Sequence, residues 1–172
     1  VKKEHLDEQT IENLEKTYVE TVKGKEKHWS DDLYVHFIFR GLELVKPNGI
    51  LTYITNDSFV GLASKERVRT LMFNNELKEL IRCPSETFEA TIYTAVFSLQ
   101  KKPSATQSYL TGFFDYPTFE YRPLGPVTYG LALAMPGKRL MYASPFTELY
   151  QKLLRDKRVK DYLEILDTGI DS

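Results

Sequence analysis

DDLYVHFIFRGLELVKPNGILTYITNDSF, residues 31–59, is the stretch on which the reading of this chain turns. Ser30 or Asp31 is placed to cap a helix. Leu33, Phe37, Phe39, Leu42, Leu44 and Val45 make that helix apolar over most of its surface, so it should pack on a sheet. Lys46-Pro47-Asn48-Gly49 is turn chemistry that ends it. The run Ile50-Leu51-Thr52-Tyr53-Ile54-Thr55 then predicts a short strand buried on both faces. The strand closes in small polar residues, Thr55, Asn56, Asp57 and Ser58, before Phe59. Two readings fit that ending. Asn56, Asp57 or Ser58 could cap a following helix, or the group could form the rim of a site, since open α/β sheets bind ligands at strand C-terminal ends.

Working outward, a second helix is predicted near Ser64 to Phe73, with Val68, Leu71 and Met72 on its apolar face and Lys65, Arg67 and Arg69 as polar positions. A strand follows from about Leu77, then the loop Ser85 to Thr91, then a strand over Ile92 to Lys101. This order predicts two parallel strands with one antiparallel neighbour, the second half of an open α/β sheet. Residues 109–143 are rich in Pro and aromatic residues and predict strand and loop, as a hairpin or as an extension toward another domain. From Ser144 a helix is expected, with Pro145 at its first position and Phe146, Leu149, Tyr150, Leu153 and Leu154 at helical spacing. Upstream, residues 4–22 predict a polar connecting helix. The resulting division is 1–103, 104–143 and 144–172.

Composition narrows the function. Basic and acidic residues balance to a formal net charge of -1, so the whole chain carries no charge signature of nucleic-acid binding. Between Lys138 and Lys160, however, seven basic residues face two acidic ones. Lys138, Arg139 and Arg158 are the candidates there for DNA phosphates, against the alternative of a solvated helix face. The single cysteine, Cys83, excludes an internal disulfide and suits a reducing cytoplasm, where it reads as a small apolar filler. No apolar run reaches the ~20 residues that span a bilayer, and no signal peptide is evident. The glycines form no G-x-G pair, and His5, His28 and His36 have no partners at metal spacing, so no metal is expected. No nucleophile motif appears. The chain starts at Val1 and stops at LDTGIDS, residues 166–172, which reads as a fragment of a larger protein.

The stretch Asp32 to Phe59 resembles the segment that follows the catalytic Asn-Pro-Pro-Tyr motif in N6-adenine DNA methyltransferases, nearest to the fused type IIG restriction–modification enzymes. The match runs through Asp-Leu-Tyr, an aromatic helix, Lys-Pro-Asn-Gly, a strand and a small polar strand end. VKKEHL, residues 1–6, resembles what comes after that tetrapeptide. LKELIRCPSETFEATIYTAVFSLQK, residues 77–101, resembles the last two strands and their loop, and VKDYLEILDTGIDS, residues 159–172, the opening of a target-recognition domain. The family often has Pro at the position of Asn56 and Gly-Gly at Asn48-Gly49.

The resemblance implies a Rossmann-like sheet, S-adenosylmethionine as cofactor, and double-stranded DNA as partner, with methyl transfer to the exocyclic amine of a flipped adenine. A flipped base needs a π-face and a pocket. Phe88 stands where the family places its second stacking aromatic; position alone favours a core aromatic plugging the loop, and the resemblance reverses that preference. Phe37 resembles the aromatic wall of the cofactor's adenine pocket, with Leu33 and Tyr34 beside it, and could be sheet-facing core at once. Catalytic residues are expected upstream of Val1, so these residues alone should not turn over. Rival readings are a methyltransferase of RNA or protein, and a non-enzymatic scaffold whose open sheet edge would pair with a second copy as a homodimer.

Overall fold

The computed structural model describes residues 7–10, 12–13, 32–88, 92–103 and 107–155. The connecting helix of 4–22 and the C-terminal motif from Val159 therefore lie largely outside the described residues. So does Arg158.

Helix α1 (Leu33–Leu44) leads into strand β1 (Ile50–Asn56), as the sequence predicts. Asn48 takes the positive φ of 65° that the turn between them requires, so Asn48 serves where glycine would. A short helix α2 (Ser58–Gly61) and a 3₁₀ turn (Ala63–Lys65) precede helix α3 (Glu66–Asn74). Strand β2 (Glu76–Arg82), a 3₁₀ turn (Ser85–Thr87) and strand β3 (Thr94–Gln100) follow. Strands β4 (Ser108–Phe114) and β5 (Tyr121–Thr128) form a hairpin, and helices α4 (Tyr129–Ala134) and α5 (Thr147–Arg155) complete the described chain.

The five strands form one sheet in the order β1-β3-β2-β4-β5. Both β1 and β2 run antiparallel to β3, so they are parallel to each other with β3 between them. That is the predicted pair of parallel strands with an antiparallel neighbour, and the mixed α/β class holds. Strand β4 pairs parallel with β2, and β5 antiparallel with β4, so the Pro-rich segment extends this same sheet.

Alternation decides the core. Ala95, Phe97 and Leu99 of β3 are buried, whereas Val96, Ser98 and Gln100 are only half-buried. The buried set packs with Ile38, Phe39 and Leu42 of α1, Val68 and Met72 of α3, and Tyr129 and Leu131 of α4. Phe59 is fully buried edge-on to Phe97, centroids 5.5 Å apart.

Three expectations need correction. Strand β1 is not buried on both faces: Leu51 is buried, but Ile50 and Ile54 are exposed. Among the described residues β1 is the sheet's edge, and only its α1 side is covered. Helix α1 does not use Phe37 or Leu44 as core, because its buried stripe is Val35, Ile38, Phe39 and Leu42. Finally, α5 begins at Thr147 rather than Ser144. The Ser144 amide instead donates to Thr147 Oγ1 at 2.9 Å, making a turn before the helix.

Candidate functional site

Because β1, β2 and β4 share a direction, their C-terminal ends lie along one edge of the sheet. Thr94, which opens β3, joins two of them there. It pairs with Asn56 in the ladder, and its carbonyl accepts from the Cys83 amide at 2.9 Å. Asp57 continues the seam, its amide donating to the Tyr93 carbonyl at 3.1 Å. The rim residues therefore sit beside the β2–β3 loop.

At the rim the side chains do local work first. Asn56 Oδ1 accepts from the Ser58 amide at 2.8 Å, an Asx turn that reverses the strand into α2. Asp57 occupies the N-cap of α2 but makes no side-chain cap bond. Thr55, Asn56, Asp57 and Ser58 are all half-buried. Tyr34 Oη lies 2.7 Å from Ser58 Oγ, which ties the Asp-Leu-Tyr segment of α1 to the rim. Burial pushes the Tyr34 phenol up to about 12, against the hydrogen bond to Ser58, so it stays protonated. Beside it, Lys65 is buried, pairs with Asp32 at 2.6 Å and lies 5.7 Å from the Tyr34 ring centroid.

The turn behind the rim is held by Arg69. This side chain is fully buried and donates to the carbonyls of Phe59 (2.7 Å), Leu62 (2.8 Å) and Gly137 (2.8 Å). Desolvation lowers the Arg69 pKa, although a guanidinium remains charged. Its sequence reading as a polar helix position missed this role. The spacing of Lys65 and Arg69, four residues apart beside an apolar stripe, was the available signal.

Phe88 follows the 3₁₀ turn of the β2–β3 loop. Thr87 closes that turn onto the Pro84 carbonyl through both its amide (3.1 Å) and its Oγ1 (2.6 Å). The Phe88 ring is 47% exposed, so it does not plug the loop as core. Phe37, 61% exposed, and half-buried Leu33 stand on α1. The alternative of Phe37 as sheet-facing core is removed. Lys138 is partly engaged, with Nζ donating to Thr70 Oγ1 at 3.1 Å and pairing with Glu66 at 3.4 Å, whereas Arg139 is exposed.

A cavity of about 450 Å³ opens between the β2–β3 loop and the β4–β5 hairpin, lined among others by Arg82, Tyr93, Phe113 and Tyr142. No sequence feature pointed to it. Residues 139–143 run across the hairpin as a strap: Tyr109 Oη bonds the amide and carbonyl of Met141, both at 2.9 Å, and the Ala143 amide donates to Thr111 Oγ1 at 3.0 Å. The strap delivers Tyr142, whose hydroxyl is buried with no hydrogen-bond partner among the described residues. Such an orphan costs about 1–3 kcal/mol. Burial raises its pKa, so the hydroxyl keeps its proton and can donate a hydrogen bond. Among the described residues no three His, Cys, Asp or Glu converge as a metal site, and no helix is long and apolar enough to cross a membrane.

The family model described as Eco57I restriction-modification methylase matches residues 1–88, just over half of the 172 residues. The type IIG restriction endonuclease BpuSI superposes over 64% of this chain and 13% of its own, with a TM-score of 0.50 at 15% identity. A class I S-adenosylmethionine-dependent methyltransferase of Listeria monocytogenes matches 56% of this chain and 31% of its own (TM-score 0.45, 19% identity). The DrdV–DNA complex matches 96% of this chain and 16% of its own (TM-score 0.40, 12% identity). This chain thus spans under a third of each of these structures. No curated protein is similar in sequence.

Proposed function

This chain belongs to the Eco57I restriction-modification methylase family, and from that membership we propose that it forms the C-terminal part of a catalytic domain that methylates the exocyclic amine of an adenine flipped out of double-stranded DNA. S-adenosylmethionine would supply the methyl group. The observation that carries the adenine reading is Phe88. Its ring stands half open on a loop braced by Thr87 and Pro84, at the strand-end edge where open α/β sheets take ligands. An exposed π-face there is what a base without its stack needs.

The other roles follow from position. Phe37 and Leu33 line the cofactor's adenine, with Tyr34 holding Ser58 and so the rim. Thr55, Asn56, Asp57 and Ser58 border the space between cofactor and base. Of the basic candidates, exposed Arg139 suits a phosphate better than Lys138, which Glu66 already engages. We divide the chain into catalytic residues 1–103, an extension over 104–143 and a connector over 144–172.

The decisive experiment is mass spectrometry of nucleosides from DNA treated with the full-length enzyme and labelled S-adenosylmethionine. Label in N6-methyl-2′-deoxyadenosine is expected; label in a deoxycytidine instead, or in RNA or protein offered in parallel but not in DNA, would overturn the adenine reading. The 172 residues contain no Asn-Pro-Pro-Tyr, so these residues alone should neither turn over nor hold the cofactor tightly. Titration calorimetry of the chain with S-adenosylmethionine checks this, and tight binding would contradict it.

A further inference from the structure

We propose that the cavity between the β2–β3 loop and the 139–143 strap receives the nucleotide that neighbours the flipped adenine, stacking its base on Tyr93 and taking its phosphate at Arg82. This inference rests on the adenine-methylation reading and adds to it a second nucleotide subsite.

The cavity's size and chemistry support this occupant. Its volume of about 450 Å³ falls within the range of pockets that hold ordered small ligands, about 300–1,000 Å³. Arg82, the last residue of β2, is exposed at the mouth, and Tyr93 presents an exposed ring. A cation beside an open aromatic face is the pairing by which proteins hold unstacked nucleotides. Glu86 is the one carboxylate in the lining, and Ser85 Oγ already donates to it at 2.8 Å. The Tyr142 hydroxyl, buried without a partner among the described residues, supplies a donor that a base edge or phosphate oxygen would satisfy.

Position sets the neighbour relation. Ser85 and Glu86 line the cavity, and Phe88 stands two residues beyond Glu86 on the same loop. Two residues reach at most about 7 Å, so base and cavity are one nucleotide step apart rather than several. The strap fixes the far wall through Tyr109 and Thr111, so the subsite is preformed by the fold.

The test uses the full-length enzyme and a duplex carrying its own methylation site, read from host DNA by single-molecule sequencing. Two probes alter the nucleotide beside the target adenine: an abasic residue, and a methylphosphonate linkage. In the unaltered enzyme each probe, on one side of the target only, should raise KM about tenfold with kcat kept. Tyr93→Ala should raise KM for the intact duplex similarly and show no further rise with the abasic probe. Arg82→Gln should do the same with the methylphosphonate. Both side chains are exposed, so folding should survive both changes. Losses that multiply, or probes without effect on either side, would overturn the subsite while leaving adenine methylation standing. Absence of methylated adenine would instead remove the parent reading, and the subsite with it.

Discussion

At the scale of single residues, Phe88 and Arg69 are opposites that look alike in one respect: neither sits where its residue type usually sits. A large aromatic ring 47% exposed is a loss of burial that folding does not explain, whereas a fully buried guanidinium is explained by the three carbonyls around it. Phe88→Ala should therefore leave the thermal midpoint nearly unchanged and weaken methylation by about 1–3 kcal/mol in kcat/KM, the scale of one base–aromatic stack. Unchanged kcat/KM would remove Phe88 from the site. The exposure that separates these two residues was not legible in the sequence, because residue type gives an average tendency and not a neighbourhood.

At the scale of elements, the junction of α1 with β1 shows packing overriding propensity. Glycine inside a helix costs about 1 kcal/mol against alanine. Yet a Cβ on Gly41 would stand 2.7 Å from Tyr53 Oη and 2.9 Å from Leu51 Cδ1, both on the strand beneath. Overpacking of that kind costs about 1–3 kcal/mol, so Gly41→Ala should be net destabilising. Gly130 in α4 is the control, since a Cβ there meets nothing within 4 Å. Gly130→Ala should stabilise by up to about 1 kcal/mol. Urea unfolding of both variants checks the pair, and a stabilised Gly41→Ala would show that close approach is not what Gly41 serves. The elements themselves were largely legible. The period of α1, the turn at Lys46 to Gly49 and the strand formers of β1 and β3 all speak locally. The start of α5 was misread because Ser144 and Pro145 can open a helix or make a turn, and Thr147 supplies the bond that selects the turn.

At the scale of the whole molecule, the sheet is stitched at its far edge by charge. Glu76 is buried at the start of β2, paired with Lys78 and with Lys102 at 3.0 Å. The hydrogen bond from Lys78 comes first in holding its carboxyl below the usual glutamate range. A lowered folded-state pKa means the unfolded chain binds the proton more readily. The stabilisation is therefore present above the ordinary glutamate pKa of about 4.3 and is lost as pH falls through and below it. Thermal midpoints measured from about pH 6 down to about pH 2.5 should fall more steeply for the unaltered protein than for Glu76→Gln, with the divergence below about pH 5. Parallel curves would dismiss the pair as a source of acid sensitivity. Lys78 lies two residues from Glu76 on the same strand, but Lys102 arrives from the run after β3, and no local pattern announced that second partner.

The sequence by itself determined the kind of elements, their order, the mixed α/β class and the strand end from Thr55 to Ser58, because period, turn chemistry and chain order are local properties. Only the tertiary structure decided which faces are covered. Among the described residues it left one face of β1 open, turned Phe37 and Phe88 outward, buried Arg69 behind the rim and carried Tyr142 to the cavity on a strap anchored by Tyr109 and Thr111. These outcomes depend on contacts between residues tens of positions apart. Burial and hydrogen-bond satisfaction are settled by what arrives from elsewhere in the chain, and no stretch of sequence contains its own neighbours.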